Sequence, residues 1–333
     1  MREIIISKSE DGEKLKKLCF KYFDKAPQSF TYKMLRKKNI TLNGRKADAD
    51  AVLHTGDSVK LFLSDETIEL FHTERSAKKT SDIKTSNNSK RFQLNNDNIV
   101  YECDDYIIIN KPAGVLSQKS SNDDYSVNEA VIDYMLSKGE ITEESLNVFR
   151  PSVCNRLDRN TSGIITAGKT LKGLRYLSDS LGAKSDSGAD KKYLTIVHGE
   201  YKKNGIIELY YKKDEALNKA VVSDTKMTDA VMIKTGFRCI SYNISKDLSL
   251  VECTLYTGKS HQIRVTLEYL GFPVVGDIKY GNHLQDRRLS PRPKRQMLHA
   301  YKLRLSDTEQ FTAYVPEDMY GYMEFKGTQG LNL

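Results

Sequence analysis

A polar stretch of 22 residues, 72–93, divides the chain and constrains its fold more than any other feature. It is rich in Ser, Thr, Asn, Lys and Arg, and six basic residues outnumber two acidic ones. Because such a segment cannot bury enough apolar surface to fold by itself, we expect a flexible basic linker. As a random coil it would separate the two domains by about 26 Å. The 333-residue chain is therefore predicted to form a small unit over 1–71 and a larger one over 94–325.

The small unit combines two helices with short strands. Apolar residues recur at helical spacing over 13–24, with lysines on the other positions, and a second helix with a basic end is predicted over 28–38. A strand over 40–42 runs into an Asn-Gly pair, which indicates a hairpin because both residues tolerate positive φ. A further strand is predicted over 59–63. The order is therefore two helices followed by β structure.

Two segments of this unit resemble the S4 RNA-binding domain. RKKNITLNGRK, which begins at Arg36, and TGDSVKLFL, which begins at Thr55, match its basic helix, the strand that follows and its closing G-D-x-V strand. The resemblance covers about residues 10–70 and implies an RNA-binding face. The residues predicted to form it are Lys33, Arg36, Lys37, Lys38 and Arg45. The alternative is that these charges only cap the helix and keep the chain soluble.

Beyond residue 94, β-branched and alternating apolar runs alternate with helical patterns. Helices are predicted over 126–137, 170–181 and 260–270, and residues 182–190 are predicted to form a surface loop. The predicted strands cover 99–101, 106–109, 164–167, 193–197, 249–256 and 297–305, with more strands before the last helix. This order indicates an α+β domain built on a large mixed, mainly antiparallel sheet flanked by helices and loops.

Composition favours a polyanionic partner without identifying it. Lys and Arg number 52 against 44 Asp and Glu, giving a formal charge of +8 and a pI near 9.0, which favours binding through counterion release. The five cysteines are odd in number, scattered and never spaced as CxxC. This pattern argues against a disulfide framework or a zinc site. With no apolar stretch of membrane-spanning length, we expect a cytoplasmic protein.

The main candidate for chemistry is a charged segment between two apolar runs, RLDRNTSG at 156–163. An isolated R-x-D would more often be a surface turn in which the Asp pairs with an Arg. Three further blocks, however, stand in order along the chain. They are KPAG at 111–114, KKYLTIVHG at 191–199 and TGKSHQIRVTLEYLGFPVVGDIKYG at 257–281, with LHAYKL following at 298–303.

Together these blocks resemble the RluA family of pseudouridine synthases, whose catalytic signature is R-L-D-x-x-T-S-G. The resemblance covers nearly all of residues 95–305. Four positions depart from the common pattern, Asn155 for His, Thr195 for Ala, Lys259 for Arg and Thr266 for His. None of them removes the signature aspartate, the tyrosine of the third block or the arginines of the motifs, so the resemblance implies activity and leaves substrate details open.

The resemblance also implies roles for four side chains. Converting uridine to pseudouridine breaks the N1–C1′ bond and joins C5 to C1′, so no atom is gained and no cofactor or metal is expected. A carboxylate must act beside the ribose or the base, and Asp158 fills that role. Arg264 would pair with it and keep it ionised, and Tyr193 would stack on the detached uracil and help move a proton. Arg156 would occupy the gap that the flipped base leaves.

Several alternatives stay open from the sequence. Arg264 could pair with another acid, Tyr193 could be a core residue, and His261 is expected to orient the loop around Arg264. The basic run 287–295 could bind phosphates or form a solvated loop. Structured RNA is the expected partner, large-subunit (23S) ribosomal RNA first and transfer RNA second, with the protein as a monomer. Two other hypotheses remain. The first is a noncatalytic RNA-binding or ribosome-assembly protein. The second is a base-excising glycosidase, which would need a second carboxylate or an activated water.

Overall fold

The computed structural model describes residues 1–72, 91–121, 123–143, 145–182, 190–214 and 219–322. Most of the predicted linker, most of the loop predicted over 182–190 and the last residues of the predicted 94–325 unit lie outside these ranges. The helices are α1 (Leu15–Tyr22), α2 (Gln28–Arg36), α3 (Asp65–Phe71), α4 (Val127–Ser137), α5 (Leu171–Leu181), α6 (Gln262–Tyr269), α7 (His283–Asp286) and α8 (Glu317–Tyr320).

The described strands form two separate sheets. Those of the first are β1 (Arg2–Ile5), β2 (Ile40–Leu42) and β3 (Ser58–Leu61). Those of the second are β4 (Ile99–Glu102), β5 (Tyr106–Lys111), β6 (Ser152–Val153), β7 (Ser162–Gly168), β8 (Asp190–His198), β9 (Gly205–Asp214), β10 (Lys219–Ser223), β11 (Val231–Asn243), β12 (Leu248–Leu255), β13 (Leu298–Arg304) and β14 (Gln310–Thr312).

The N-terminal residues fold as predicted into two helices and a small sheet. The strand order β1-β3-β2 is antiparallel throughout, and the apolar face of α1 is buried because it packs with α2 and the sheet in one core cluster. Asn43 and Gly44 have φ values of 51° and 73°, which confirms the predicted turn. The sequence reasoning missed β1 and α3, since runs of four and seven residues are too short to show periodicity.

The larger sheet confirms the α+β class predicted for the second unit. Its order is β10-β9-β11-β12-β8-β13-β7-β5-β4, with β14 on β13 and β6 on β7. All described pairings are antiparallel except β13 with β7. The helices predicted over 126–137, 170–181 and 260–270 are α4, α5 and α6. The additional strands expected before the last helix are β9, β10 and β11.

The parallel pairing of β7 with β13 depends on Gly163, the last residue of RLDRNTSG. Its φ is +116°, and a Cβ at this position would lie 2.2 Å from the carbonyl oxygen of Ala300 on β13. Both the backbone conformation and the contact therefore require glycine. The close approach fixes the start of β7, and with it the loop that carries the aspartate of the motif.

The two units touch each other in several places. Lys8 Nζ lies 2.5 Å from Asp104 Oδ2, Leu171 N donates to Ser9 O at 3.1 Å, and Val148 of the larger unit belongs to the N-terminal core cluster. The structure thus differs from the separation of about 26 Å that a random coil of this length predicts. That value averages over free chain conformations and ignores contacts between the folded units. None of the helices in the described ranges combines the length and the apolarity needed to cross a bilayer.

Candidate active site

Asp158 lies in the short loop that joins β6 to β7. The backbone N–H of Thr161 donates to the carbonyl oxygen of Asp158 at 3.0 Å, which closes the turn. Asn155 fixes the start of the loop, because its Oδ1 accepts from Thr166 N at 2.7 Å while its Nδ2 donates to Ile164 O at 3.2 Å. The departure from the common His at position 155 therefore falls on a residue that holds the loop to β7.

The KPAG segment is joined to the loop of Asp158 by hydrogen bonds from Lys111. Lys111 is fully buried, and its ammonium group donates to the carbonyl oxygens of Pro112, Val115 and Arg159 at 3.0, 2.9 and 3.1 Å. Burial lowers the pKa of Lys111 to about 7, against the opposing charge of Asp158. Gly114 has a positive φ of 88°, which glycine adopts without strain, and it closes the segment in a turn. The role of the lysine was not foreseen.

Asp158, Arg264 and Asp277 form a continuous chain of charges. Arg264 Nη1 donates to Asp158 Oδ2 at 2.6 Å, and its Nε and Nη2 donate to Asp277 at 2.6 and 2.7 Å. The exposed side-chain fractions are 26% for Asp158, 6% for Arg264 and 0% for Asp277. Although burial opposes the charge on Arg264, the hydrogen bonds and charge of Asp277 and Asp158 outweigh it and raise its pKa. The predicted Asp–Arg contact is therefore present in the structure.

Asp277 is a second buried residue whose role the sequence reasoning missed. Burial alone would raise its pKa, yet the hydrogen bonds and charge of Arg264 and the N–H groups of Lys279 and Tyr280 lower it. Its two oxygens hold the Nε and Nη2 atoms of the guanidinium, and this pairing orients Nη1 towards Asp158. The signal was present as the aspartate of VVGDIKYG at the end of the fourth block.

Tyr193 lies on β8 within the core cluster that also contains Leu157, the residue before Asp158. It is 8% exposed, and among the described residues none accepts a hydrogen bond from its hydroxyl group. Burial, followed by the negative charge of Asp158, raises the pKa of Tyr193, so the hydroxyl stays protonated at neutral pH. The structure thus places Tyr193 where the charge of Asp158 acts on its hydroxyl group, and it pairs Asp158 with Arg264.

The remaining predicted residues lie at the surface. Arg156 and Lys259 are exposed and form no ion pair with a described residue. Lys33, Arg36, Lys37, Lys38 and Arg45 are likewise exposed, on α2 and the turn after β2 of the N-terminal unit. In the basic run 287–295, Arg295 is buried and pairs with Asp318 at 2.6 Å, so this member is structural rather than solvated.

Around this centre the described residues contain no group of three His, Cys, Asp or Glu side chains that could hold a metal ion. What the site offers is an aspartate whose Oδ2 is engaged and whose Oδ1 accepts no hydrogen bond from a described residue. The ring of His261 lies nearby, with Nε2 at 4.0 Å from that second oxygen. A carboxylate with one oxygen anchored and the other open suits attack on carbon or removal of a proton.

Comparison with known proteins identifies the class. The model of the family described as RNA pseudouridylate synthase matches residues 105–269. A ribosomal large subunit pseudouridine synthase C of Rickettsia felis is 30% identical, over 89% of this chain and 89% of its own. An uncharacterized RNA pseudouridine synthase of Mycoplasma genitalium is 28% identical over 97% and 95%. The solved human RNA pseudouridylate synthase domain containing 4 shares the fold, with a TM-score of 0.52 and 19% identity over 68% of this chain and 93% of that one.

The chain belongs to the RNA pseudouridylate synthase family. More specifically, it is an RNA pseudouridine synthase of the RluA type, an isomerase. The resemblance of its four sequence blocks to that family is thereby confirmed.

Proposed function

We propose that this enzyme isomerises uridines in large-subunit ribosomal RNA and that Asp158 is the carboxylate on which the reaction depends. The target follows from the relatives named ribosomal large subunit pseudouridine synthase C, which include proteins from Rickettsia felis and Haemophilus influenzae. One observation carries the assignment of the aspartate. Its Oδ2 is held 2.6 Å from Arg264 Nη1, while Oδ1 accepts no hydrogen bond from a described residue.

The reaction needs no external reactant. The N1–C1′ bond breaks with its electron pair left on the uracil, the base turns, and C5 bonds to C1′. A proton then leaves C5 and one is gained at N1, so atoms and charge balance. Asp158 acts on the ribose or the base, and Arg264 holds its carboxylate in place. Tyr193, a buried residue whose hydroxyl is influenced by the charge of Asp158, stacks on the detached base, and its protonated hydroxyl assists proton movement at C5.

Base flipping gives Arg156 a separate role. A uridine stacked in RNA cannot reach a carboxylate that is 26% exposed, so it must leave the stack. Arg156 lies two residues before Asp158 and is exposed, with its guanidinium available to RNA. We assign it to the space that the flipped base leaves behind.

The N-terminal unit supplies RNA affinity in this proposal. Its five predicted binding residues are all exposed, and their charges suit the phosphate backbone. We therefore propose that residues 1–71 act as an S4-like αα-β RNA-binding domain next to a catalytic domain over 94–325, joined by the basic linker 72–93. A cytoplasmic monomer stays our prediction, which light scattering and cell fractionation would check.

Asp158→Asn tests the catalytic assignment. Pseudouridines are mapped by mass-shift labelling in RNA from cells that lack the gene and carry either the wild-type protein or the variant. We expect every site that depends on the gene to disappear with Asp158→Asn, while the purified variant still binds that RNA. Asp224→Asn, at an exposed aspartate without a described partner, should restore all sites.

Each outcome separates the hypotheses. Full modification by Asp158→Asn would remove the aspartate mechanism. Unchanged modification after deletion of the gene would favour a noncatalytic RNA-binding protein, and release of free uracil would favour a glycosidase. Sites confined to transfer RNA would replace the proposed substrate while leaving the mechanism in place.

A further inference from the structure

His261 occupies an unusual position at the entrance of the site. It immediately precedes α6 and has φ +58° and ψ 14°, a left-handed conformation that costs about 1 kcal/mol or more for a residue with a Cβ. Its side chain is 13% exposed, and Nε2 lies 4.0 Å from Asp158 Oδ1. That distance is too long for a direct hydrogen bond but leaves room for a substrate atom beside both groups.

The other ring nitrogen shows which tautomer is present. His261 Nδ1 lies 3.0 Å from the hydroxyl oxygen of Tyr280, and that oxygen accepts from Ala220 N at 2.7 Å. Tyr280 is buried, and among the described residues only His261 Nδ1 can accept its hydroxyl proton. Because Nδ1 is then an acceptor, a neutral imidazole must carry its proton on Nε2, which faces Asp158.

The surroundings keep the ring neutral. Burial lowers the pKa of His261, and Arg264 and Lys279 act in the same direction against the charges of Asp158 and Asp277. The Arg264 guanidinium also lies 5.2 Å from the centroid of the Tyr280 ring. Tyr280 N donates to Asp277 Oδ1 at 3.1 Å. Tyr280, which orients His261, is thus held by Asp277 and Arg264, the same two residues that hold Asp158 in place.

We propose that His261 donates a hydrogen bond from Nε2 to the O2 carbonyl oxygen of uracil as the N1–C1′ bond breaks, and that Tyr280 is the positioning residue that selects this tautomer. The proposal rests on the proposed function of Asp158. When the bond breaks, negative charge spreads over N1, over O2 and, through the C5=C6 bond, over O4 of the base. O2 is the carbonyl nearest the sugar, and therefore nearest a donor that lies beside the carboxylate. His261 transfers no proton, and a donor aimed at developing charge accelerates bond cleavage.

A cycle of paired changes in enzyme and substrate tests this contact. Single-turnover rates are measured at saturating enzyme on an RNA fragment that carries an established target as uridine, 2-thiouridine or 4-thiouridine. Removing a donor to developing charge should make His261→Ala about 100-fold slower than wild type on uridine. On 2-thiouridine the same substitution should cost less than about tenfold, because sulfur is the weaker acceptor and little remains to lose. On 4-thiouridine the full 100-fold loss should return.

Two further variants distinguish donation from packing. His261→Gln keeps an N–H donor and should stay within about tenfold of the wild-type rate. Tyr280→Phe removes the proton donor to Nδ1, and the ¹⁵N spectrum of the labelled imidazole should then lose the pure Nε2–H signature seen in the wild type. His283→Ala, at an exposed histidine without a described side-chain partner, should match wild type on all three substrates.

The inference and the proposed function fail separately. Equal losses for His261→Ala on uridine and 2-thiouridine, or a wild-type ¹⁵N spectrum with the proton on Nδ1, would overturn the role of His261 while Asp158 keeps its own. Turnover by Asp158→Asn would overturn the proposed mechanism whatever the thiouridine rates are.

Discussion

Two cationic regions of this enzyme use positive charge in opposite ways. Arg264 is 6% exposed and is shared between two carboxylates at distances up to 2.7 Å. Lys33 and Arg36 on α2 and Lys37 just after it are exposed and form no ion pair with a described residue. A buried charge is tolerated only when it is paired, whereas an exposed cation remains available for phosphates. The first region should therefore set geometry and turnover, and the second should set affinity.

The largest effect should follow Arg264→Met, which leaves Asp277 buried without its partner. We expect the free energy of unfolding to fall by about 3–5 kcal/mol and single-turnover activity of the folded variant to fall about 10³-fold. Urea unfolding and rapid-quench assays measure the two quantities. Arg304→Met, at an exposed arginine 3.5 Å from Asp307, should change stability by about 0.5 kcal/mol or less. If both variants lost similar amounts of stability and activity, the buried arginine would have no special role and the contrast between the two regions would be wrong.

The contrast between a buried and an exposed side chain also applies to two histidines, His299 and His54. Burial lowers the pKa of His299 to about 4, whereas the unfolded value is about 6.5. Between these values the unfolded chain binds a proton that the folded chain does not. Stability from this group is therefore complete above about pH 6.5 and is lost as pH falls towards 4, by about 3 kcal/mol.

Denaturant unfolding across pH 4 to 7 measures this loss. His299→Gln should flatten the dependence, while His54→Gln, at a histidine with 72% of its side chain exposed, should leave it as in the wild type. If the free energy of unfolding of His299→Gln changes with pH as steeply as that of the wild type, another group is responsible for the acid sensitivity.

Tyr193→Phe tests whether a buried hydroxyl group near the Asp158–Arg264 pair contributes to turnover. Because no described residue accepts a hydrogen bond from the hydroxyl, we expect folding and RNA binding to remain as in the wild type. Turnover should fall about 100-fold if the hydroxyl assists a proton transfer. Tyr201→Phe is the matched control, since Tyr201 is buried in the same cluster and its hydroxyl also has no hydrogen-bond partner among the residues that the structure describes. An active Tyr193→Phe would leave the tyrosine with a stacking role alone.

The smallest effect should come from the exposed cations. Lys33→Gln combined with Lys37→Gln should weaken RNA binding about tenfold at low salt and reduce the slope of log K against log salt by about 1.4. The single-turnover rate at saturating RNA should not change. Lys17→Gln, at an exposed lysine on α1, should leave both binding and slope near wild type. A changed rate at saturation would show that the N-terminal unit does more than bind.

Much of the fold could be predicted because periodicity is local. The helix predicted over 260–270 is observed at Gln262–Tyr269, and RLDRNTSG pointed to the loop of Asp158 before β7. What could not be predicted depends on residues far apart in sequence. Asp277 contacts Arg264 within one block, but its burial results from the packing of separate strands. Lys111 reaches the carbonyl of Arg159 across 48 positions of the chain.

The sequence by itself determined the family, the α+β class, the order of most elements and the residues proposed for the chemistry, because each is written in contiguous motifs or local spacing. Only the tertiary structure decided which oxygen of Asp158 is engaged, that Asp277 holds Arg264 from the opposite side, and that the hydroxyl group of Tyr280 contacts the ring of His261. These are properties of direction and burial. They arise when β7, β8, α6 and the loop after it meet in space, and no local pattern records them.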